Sequence, residues 1–129
     1  SLSSVYGARQ RADGGVVAAL TAAAAARSVP TISGDGRQTR DFLFVDDAVD
    51  ALVRAGTRGS GLVVNVGTGQ QTSLRDLWTA VAGASGAAPQ PGPPDVDELP
   101  RFAVSPVRAR IHLGWSPWTS LEEGLSQLR

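Results

Sequence analysis

Short apolar runs alternate with stretches of helical periodicity along this chain, and the alternation sets the expected elements. Leu2 to Tyr6 is a strand-like run stopped by Gly7, followed by a polar loop through Gly15. Val16 to Arg27 is dense in alanine, the best helix former, and Pro30 stops it. Thr31 and Ile32 form a brief strand before the Gly34-Asp35-Gly36 turn, and Asp41 to Val45 reads as a short buried strand. Asp46 then caps a helix whose positions Ala48, Val49, Ala51, Leu52 and Val53 are expected inside, with Asp47, Asp50 and Arg54 outside.

Leu62 to Val66 is the strongest strand signal and ends in Gly67-Thr68-Gly69. Ser73, with Asp76 three residues on, opens a helix through Val81. Residues 83 to 100 are rich in Gly, Pro and Ala and are expected to be a loop or linker. Ser105 and Pro106 start a short helix that Gly114 stops. A last helix carries a capping box, Ser120 with Glu123, and an apolar stripe of Leu121, Leu125 and Leu128. Recurrent strand-then-helix units predict an α/β fold with at least partly parallel strands.

Composition narrows the chemistry. At 129 residues the chain is the size of one domain and can bury about two-thirds of its unfolded surface. Its twelve basic residues are all arginine and balance twelve acids, which argues against an extended nucleic-acid surface. There is no cysteine and one histidine, His112, so thiol catalysis and a zinc cluster are excluded. The longest apolar run, Val16 to Ala26, is too short for a bilayer span and lacks a basic signal-peptide start, so no membrane association and a cytoplasmic location are expected. With no methionine, the chain reads as a piece of a longer protein.

Arg40 is the leading candidate for binding. It follows the Gly-Asp-Gly turn and precedes an apolar strand, which puts a five-donor fork suited to a diphosphate near a strand mouth. Spacing alone favours a structural ion pair of Arg40 with Asp41, Asp46 or Asp47. Gly67-Thr68-Gly69 is either an anion-binding turn before a helix or a plain tight turn. Gly34 and Gly36 fit turn positions with positive φ. His112 reads as a helix-end residue, Glu122 and Glu123 as first-turn carboxylates favoured by the helix dipole, and Trp115 with Trp118 as an apolar plug around Pro117.

Four segments carry a resemblance: VYGARQ (5 to 10), ISGDGRQTRDFLFVDDAVDAL (32 to 52), NVGTGQQTSLRDL (65 to 77) and ARIHLGWSPWTSLEEGL (109 to 125). Taken in order, they resemble the carboxyl-terminal part of the NAD-dependent epimerase/dehydratase family. These are extended short-chain dehydrogenases that act on nucleotide sugars. The resemblance implies the last Rossmann strands plus a small substrate-binding domain, and a nucleotide-diphosphate sugar as ligand. It places Arg40 on the diphosphate, Thr31 and Ile32 against the base, Val16 and Val17 near the nucleotide, and Ser4 where the family has a substrate asparagine. It takes Asn65 and Gly67 as architectural.

The departures matter as much. A second diphosphate arginine of the family falls on Asp95 here, with Arg101 as a candidate substitute a few residues on. The Rossmann glycine fingerprint and the Tyr-x-x-x-Lys pair lie upstream of residue 1 in the family, and this chain has no lysine and a single tyrosine, Tyr6. The resemblance therefore implies NAD in the complete protein but none held by this chain alone, and catalysis, by hydride removal from C4 of the sugar, only in the complete enzyme. A non-catalytic binding or interaction module on the same scaffold is the alternative. In either case the missing Rossmann half, or a second copy in a homo-oligomer, is expected to cover unpaired edges and an apolar face.

Overall fold

The computed structural model describes residues 2–11, 13–58, 61, 63–83 and 86–128. In chain order these form β1 (Ser4–Tyr6), α1 (Val16–Ala25), β2 (Thr31–Ser33), β3 (Thr39–Arg40), β4 (Phe42–Phe44), α2 (Val45–Arg58), β5 (Thr72–Ser73), α3 (Leu74–Ala82), β6 (Gln90–Gly92), α4 (Val107–Leu113) and α5 (Leu121–Ser126). The strands make three small pairs: β1 with β4 and β2 with β6 are parallel, and β3 with β5 is antiparallel.

β4 is the septum of the molecule. Successive strand side chains point to opposite faces, and a strand covered on both faces reads as a continuous apolar run. Phe42 and Phe44 enter one core with Tyr6, Leu20, Leu77 and Trp78, while Leu43 enters a second with Ala48, Val66, Ala109, Leu113 and Trp115. All three are buried, and each contributes about 2 kcal/mol or more from the apolar area removed from water. α1, α3 and α5 close the first core, and α2 and α4 the second.

Most of the expected elements form, with their caps. Ser73 accepts from the Asp76 amide, Ser120 and Glu123 make the reciprocal box, and Gly114 ends α4 at φ 63° in the left-handed region. Gly34 and Gly36 take φ of 60° and 76°, as the turn reading requires.

Five expectations need correction. Asp47 is not outward: it is fully buried, and Val49, Leu52 and Val53 are exposed instead. The reason is size. Ala48 and Ala51 let α2 approach Ala109 of α4 closely, so the alanine face turns inward, and Asp47 on that face is satisfied by four hydrogen bonds. Its carboxylate accepts from the amides of Trp118 (3.0 Å) and Thr119 (2.9 Å) and the Thr119 hydroxyl (2.7 Å), and its carbonyl accepts from Trp115 Nε1 at 2.9 Å. Asp46 does not cap the helix, which starts at Val45. Trp115 is the buried plug, but Trp118 is 59% exposed, because its amide is pinned to Asp47.

The strand expected at 62–66 is recorded only as one parallel bridge, Val66 to Leu2, with Leu62 outside the described residues. Strands need neighbours, and the register that sets Leu2 opposite Val66 puts Val63 to Asn65 opposite positions that precede Leu2. Conversely, the segment 83–100 contains β6. Its Pro91 lacks an N–H, yet it sits opposite Ile32 at a sheet edge, where proline is tolerated.

Candidate functional site

Arg40 ends β3, where pairing with Thr72 of β5 fixes its backbone. Its guanidinium is held by Glu98. Nε and Nη2 donate to the same Glu98 oxygen, at 2.6 and 2.5 Å. The other Glu98 oxygen accepts from Gln38 Nε2 at 3.2 Å, and that amide also donates to the Ser33 carbonyl at 2.8 Å. The acid reaches Arg40 because the late loop is strapped to β3: the Thr39 amide donates to Pro100, and the Phe102 amide to the Thr39 hydroxyl.

None of the three aspartates near in sequence takes Arg40. Asp41 is fully buried and accepts from the amides of Thr68, Gly69 and Val104 and from the Thr68 hydroxyl. Asp47 is held by Trp118 and Thr119, and Asp46 is exposed on α2. The Gly-Thr-Gly turn therefore does hold an anion, and that anion is the chain's own Asp41. The amides of Thr68 and Gly69 are engaged by that carboxylate.

The Arg40 side chain stays 31% exposed, against 12% for Glu98. Arg40 also lines a concavity of about 230 Å³, together with Ser4, Gly14, Gly15, Val16, Val17 and Phe42 among others. α1 begins at its wall. The cap residue is Gly15 at φ 143°, no side chain caps the helix, and no acid sits in its first turn. An uncapped helix start offers free amides and the positive end of the helix dipole. A second concavity, about 550 Å³, lies on the Glu98 side and is lined by Gly34, Gln38, Pro94, Asp95, Glu98 and Arg101 among others. The Arg40–Glu98 pair thus stands between two openings.

Of the six residues singled out, the fold brings Ser4, Val16, Val17 and Arg40 to the smaller concavity. Thr31 and Ile32 do not line it: Thr31 is exposed on β2 and the Ile32 side chain is in the core, 4% exposed. Their neighbour Ser33 lines the larger opening, as do both Asp95 and Arg101. Glu98 and the Gly14-Gly15 helix start were not anticipated. The missed signal was an alanine-dense helix with no Ser, Thr, Asp or Asn directly before it, since an uncapped start leaves amides open to an anion. Elsewhere, His112 sits exposed in the last turn of α4, as expected of a helix-end residue. Among the described residues no group of acids and histidine is placed to hold a metal, and no helix is long and apolar enough to cross a membrane.

The family profile described as NAD dependent epimerase/dehydratase family matches residues 1–67. The chain is 48% identical to UDP-glucose 4-epimerase of Mycolicibacterium smegmatis over 97% of its own length. It belongs to the NAD-dependent epimerase/dehydratase family. The chain spans 42% of the length of that relative. Among solved structures of the family, a UDP-glucose 4-epimerase from Thermotoga maritima with UDP-glucose superposes with a TM-score of 0.91 at 35% identity, covering 98% of this chain and 42% of the other. A Thermus thermophilus UDP-glucose 4-epimerase in complex with NAD gives 0.85 at 32% identity, covering 98% and 43%. The fold is that of part of an extended short-chain dehydrogenase.

Proposed function

We propose that this chain is the nucleotide-sugar-binding, carboxyl-terminal portion of an NAD-dependent epimerase or dehydratase, and that Arg40 and the first amides of α1 grip the ligand's diphosphate. The observation that carries the reading is the meeting of a partly exposed guanidinium and an uncapped helix start on one concavity. Two opposed sources of positive potential suit the paired phosphoryl groups at the middle of a sugar nucleotide. The two openings either side of Arg40 suit its two ends. The nucleoside lies toward Ser33, Gly34 and Glu98, and the sugar toward Ser4.

Binding here contributes orientation, which lowers a barrier by holding the reacting carbon in place. In this reading NAD, and the oxidation at C4 of the sugar to a 4-keto compound, belong to an amino-terminal Rossmann portion of the longer protein. The chain has no lysine and its one tyrosine, Tyr6, is sealed in the core, so no Tyr-x-x-x-Lys pair arises from it. The cytoplasmic location expected from the sequence goes with the same reading.

Calorimetric titration of the chain with UDP-glucose, and with inorganic pyrophosphate as a minimal probe, tests the proposal. Arg40→Ala is expected to weaken both at least tenfold, with far-ultraviolet circular dichroism unchanged and a lower melting temperature, since the mostly buried Glu98 loses its cation. Equal affinity in the variant, or no binding by the unaltered chain, would overturn it; the second outcome would favour the non-catalytic module.

A further inference from the structure

β1 and β4 are parallel neighbours, so their carboxyl ends, Tyr6 and Phe44, lie side by side. The chain leaves them toward opposite faces. β1 is followed by α1, which packs on the first core, and β4 by α2, which packs on the second. Connections that part in this way leave a crevice beyond the strand ends, the place where open α/β sheets bind their ligands. A concavity of about 660 Å³ opens there, larger than either opening beside Arg40 and of a size for one small molecule. Its wall is mixed: Gly7, Phe44 and Val45 line it, and so do Arg9, Asp46 and Gln127. Gly7 rests directly on Val45, since a Cβ built at Gly7 would lie 2.5 Å from Val45 Cγ1, so this part of the wall is apolar and closed. Arg9 and Asp46 are exposed and of opposite charge, yet among the described residues neither takes part in an ion pair.

We propose that this crevice binds a zwitterion with an apolar body, of the class of an aromatic α-amino acid. A lone exposed charge is ordinary, but an unpaired cation and an unpaired anion on one crevice with an apolar wall match a molecule that carries both charges. The planar fork of Arg9 takes the carboxylate, Asp46 accepts from the ammonium, and the ring lies against Phe44 and Val45. A sugar nucleotide suits the crevice poorly, because its phosphates would meet the like charge of Asp46 and it brings no cation in return. Gln10 lines both this crevice and the smaller concavity at Arg40, so the two are neighbours, but Arg9 and Asp46, the charges that select the ligand, line only the crevice. The inference does not depend on which ligand the Arg40 concavity takes.

The test is calorimetric titration of the chain with L-phenylalanine, phenylpropionate and phenethylamine, which present the same ring with both charges, the anion alone or the cation alone. L-phenylalanine is expected to bind about tenfold more tightly than either analogue. Arg9→Ala should weaken L-phenylalanine about tenfold and phenethylamine not at all, while Asp46→Asn should weaken L-phenylalanine about tenfold and phenylpropionate not at all. Both positions are exposed, so native circular dichroism should persist in each variant. Arg40→Ala should leave the affinity for L-phenylalanine as it was. No binding of L-phenylalanine, equal binding of the three probes, or unchanged affinity in either the Arg9 or the Asp46 variant would each overturn the assignment, and a loss in Arg40→Ala would move the ligand to the other concavity and overturn it too.

Discussion

The hydroxyl of Tyr6 occupies the space a side chain at Gly124 would need: a Cβ built there lies 1.9 Å from the oxygen and 2.7 Å from Cζ. The contact ties β1 to α5 across the first core, where Tyr6 also meets Phe44 edge-on at 5.5 Å between ring centroids. Gly124→Ala is therefore expected to cost about 3 kcal/mol, at the upper end for overpacking. In a Tyr6→Phe background the cost should fall by about 1 kcal/mol, since the two positions are in contact and cannot be additive. Urea denaturation of the four proteins in the cycle measures both. Additive losses would show that the contact is not what excludes a side chain at Gly124.

Tyr6 also sets an alkaline limit. Burial, and then the negative charge of Asp47, push its pKa from 10.0 up to about 12. The folded chain holds the phenolic proton more tightly than the unfolded one, so this stability is complete below pH 10 and is lost as pH rises through 12. The loss is about 2 to 3 kcal/mol at the top of that window. As the chain has one tyrosine, tyrosinate absorbance reports the site without ambiguity. Ionisation near the ordinary value in the folded protein would contradict the burial, and Tyr6→Phe should lack the stability loss over this window.

Asp41 binds two loops at once, and all of its described partners are donors. Asp41→Asn keeps the shape but turns an amino group toward N–H groups, leaving buried donors without acceptors. A loss of about 3 kcal/mol is expected, with faster amide exchange at Thr68, Gly69 and Val104. A change below about 0.5 kcal/mol would place the loops under some other control.

At Arg40 the shape of the cation should matter as well as its charge. One edge of the guanidinium is occupied by Glu98, so a second edge is needed for a ligand. Lysine has a single ammonium and cannot serve both sides with fixed geometry. Arg40→Lys is expected to bind UDP-glucose about tenfold more weakly, roughly 1.4 kcal/mol, while keeping the native circular dichroism. Affinity equal to that of the unaltered chain would mean that charge alone suffices.

Local chemistry let the sequence settle much of this protein. Caps and stops are short-range devices, so Ser73 with Asp76, Ser120 with Glu123 and Gly114 were legible without a fold. So was Arg40 as the cation to watch, because a Gly-Asp-Gly turn before an apolar strand is a local pattern. Other features required partners distant in the chain. Glu98 meets Arg40 from 58 residues away, β6 exists only because β2 lies beside it, and Asp47 can be buried only because the loop at Trp118 and Thr119 supplies its donors. Hydrophobic periodicity assigned Val49, Leu52 and Val53 to the core because it counts apolarity and not volume. The close approach of α2 to α4 chose the alanine face instead, and left the larger aliphatics outside.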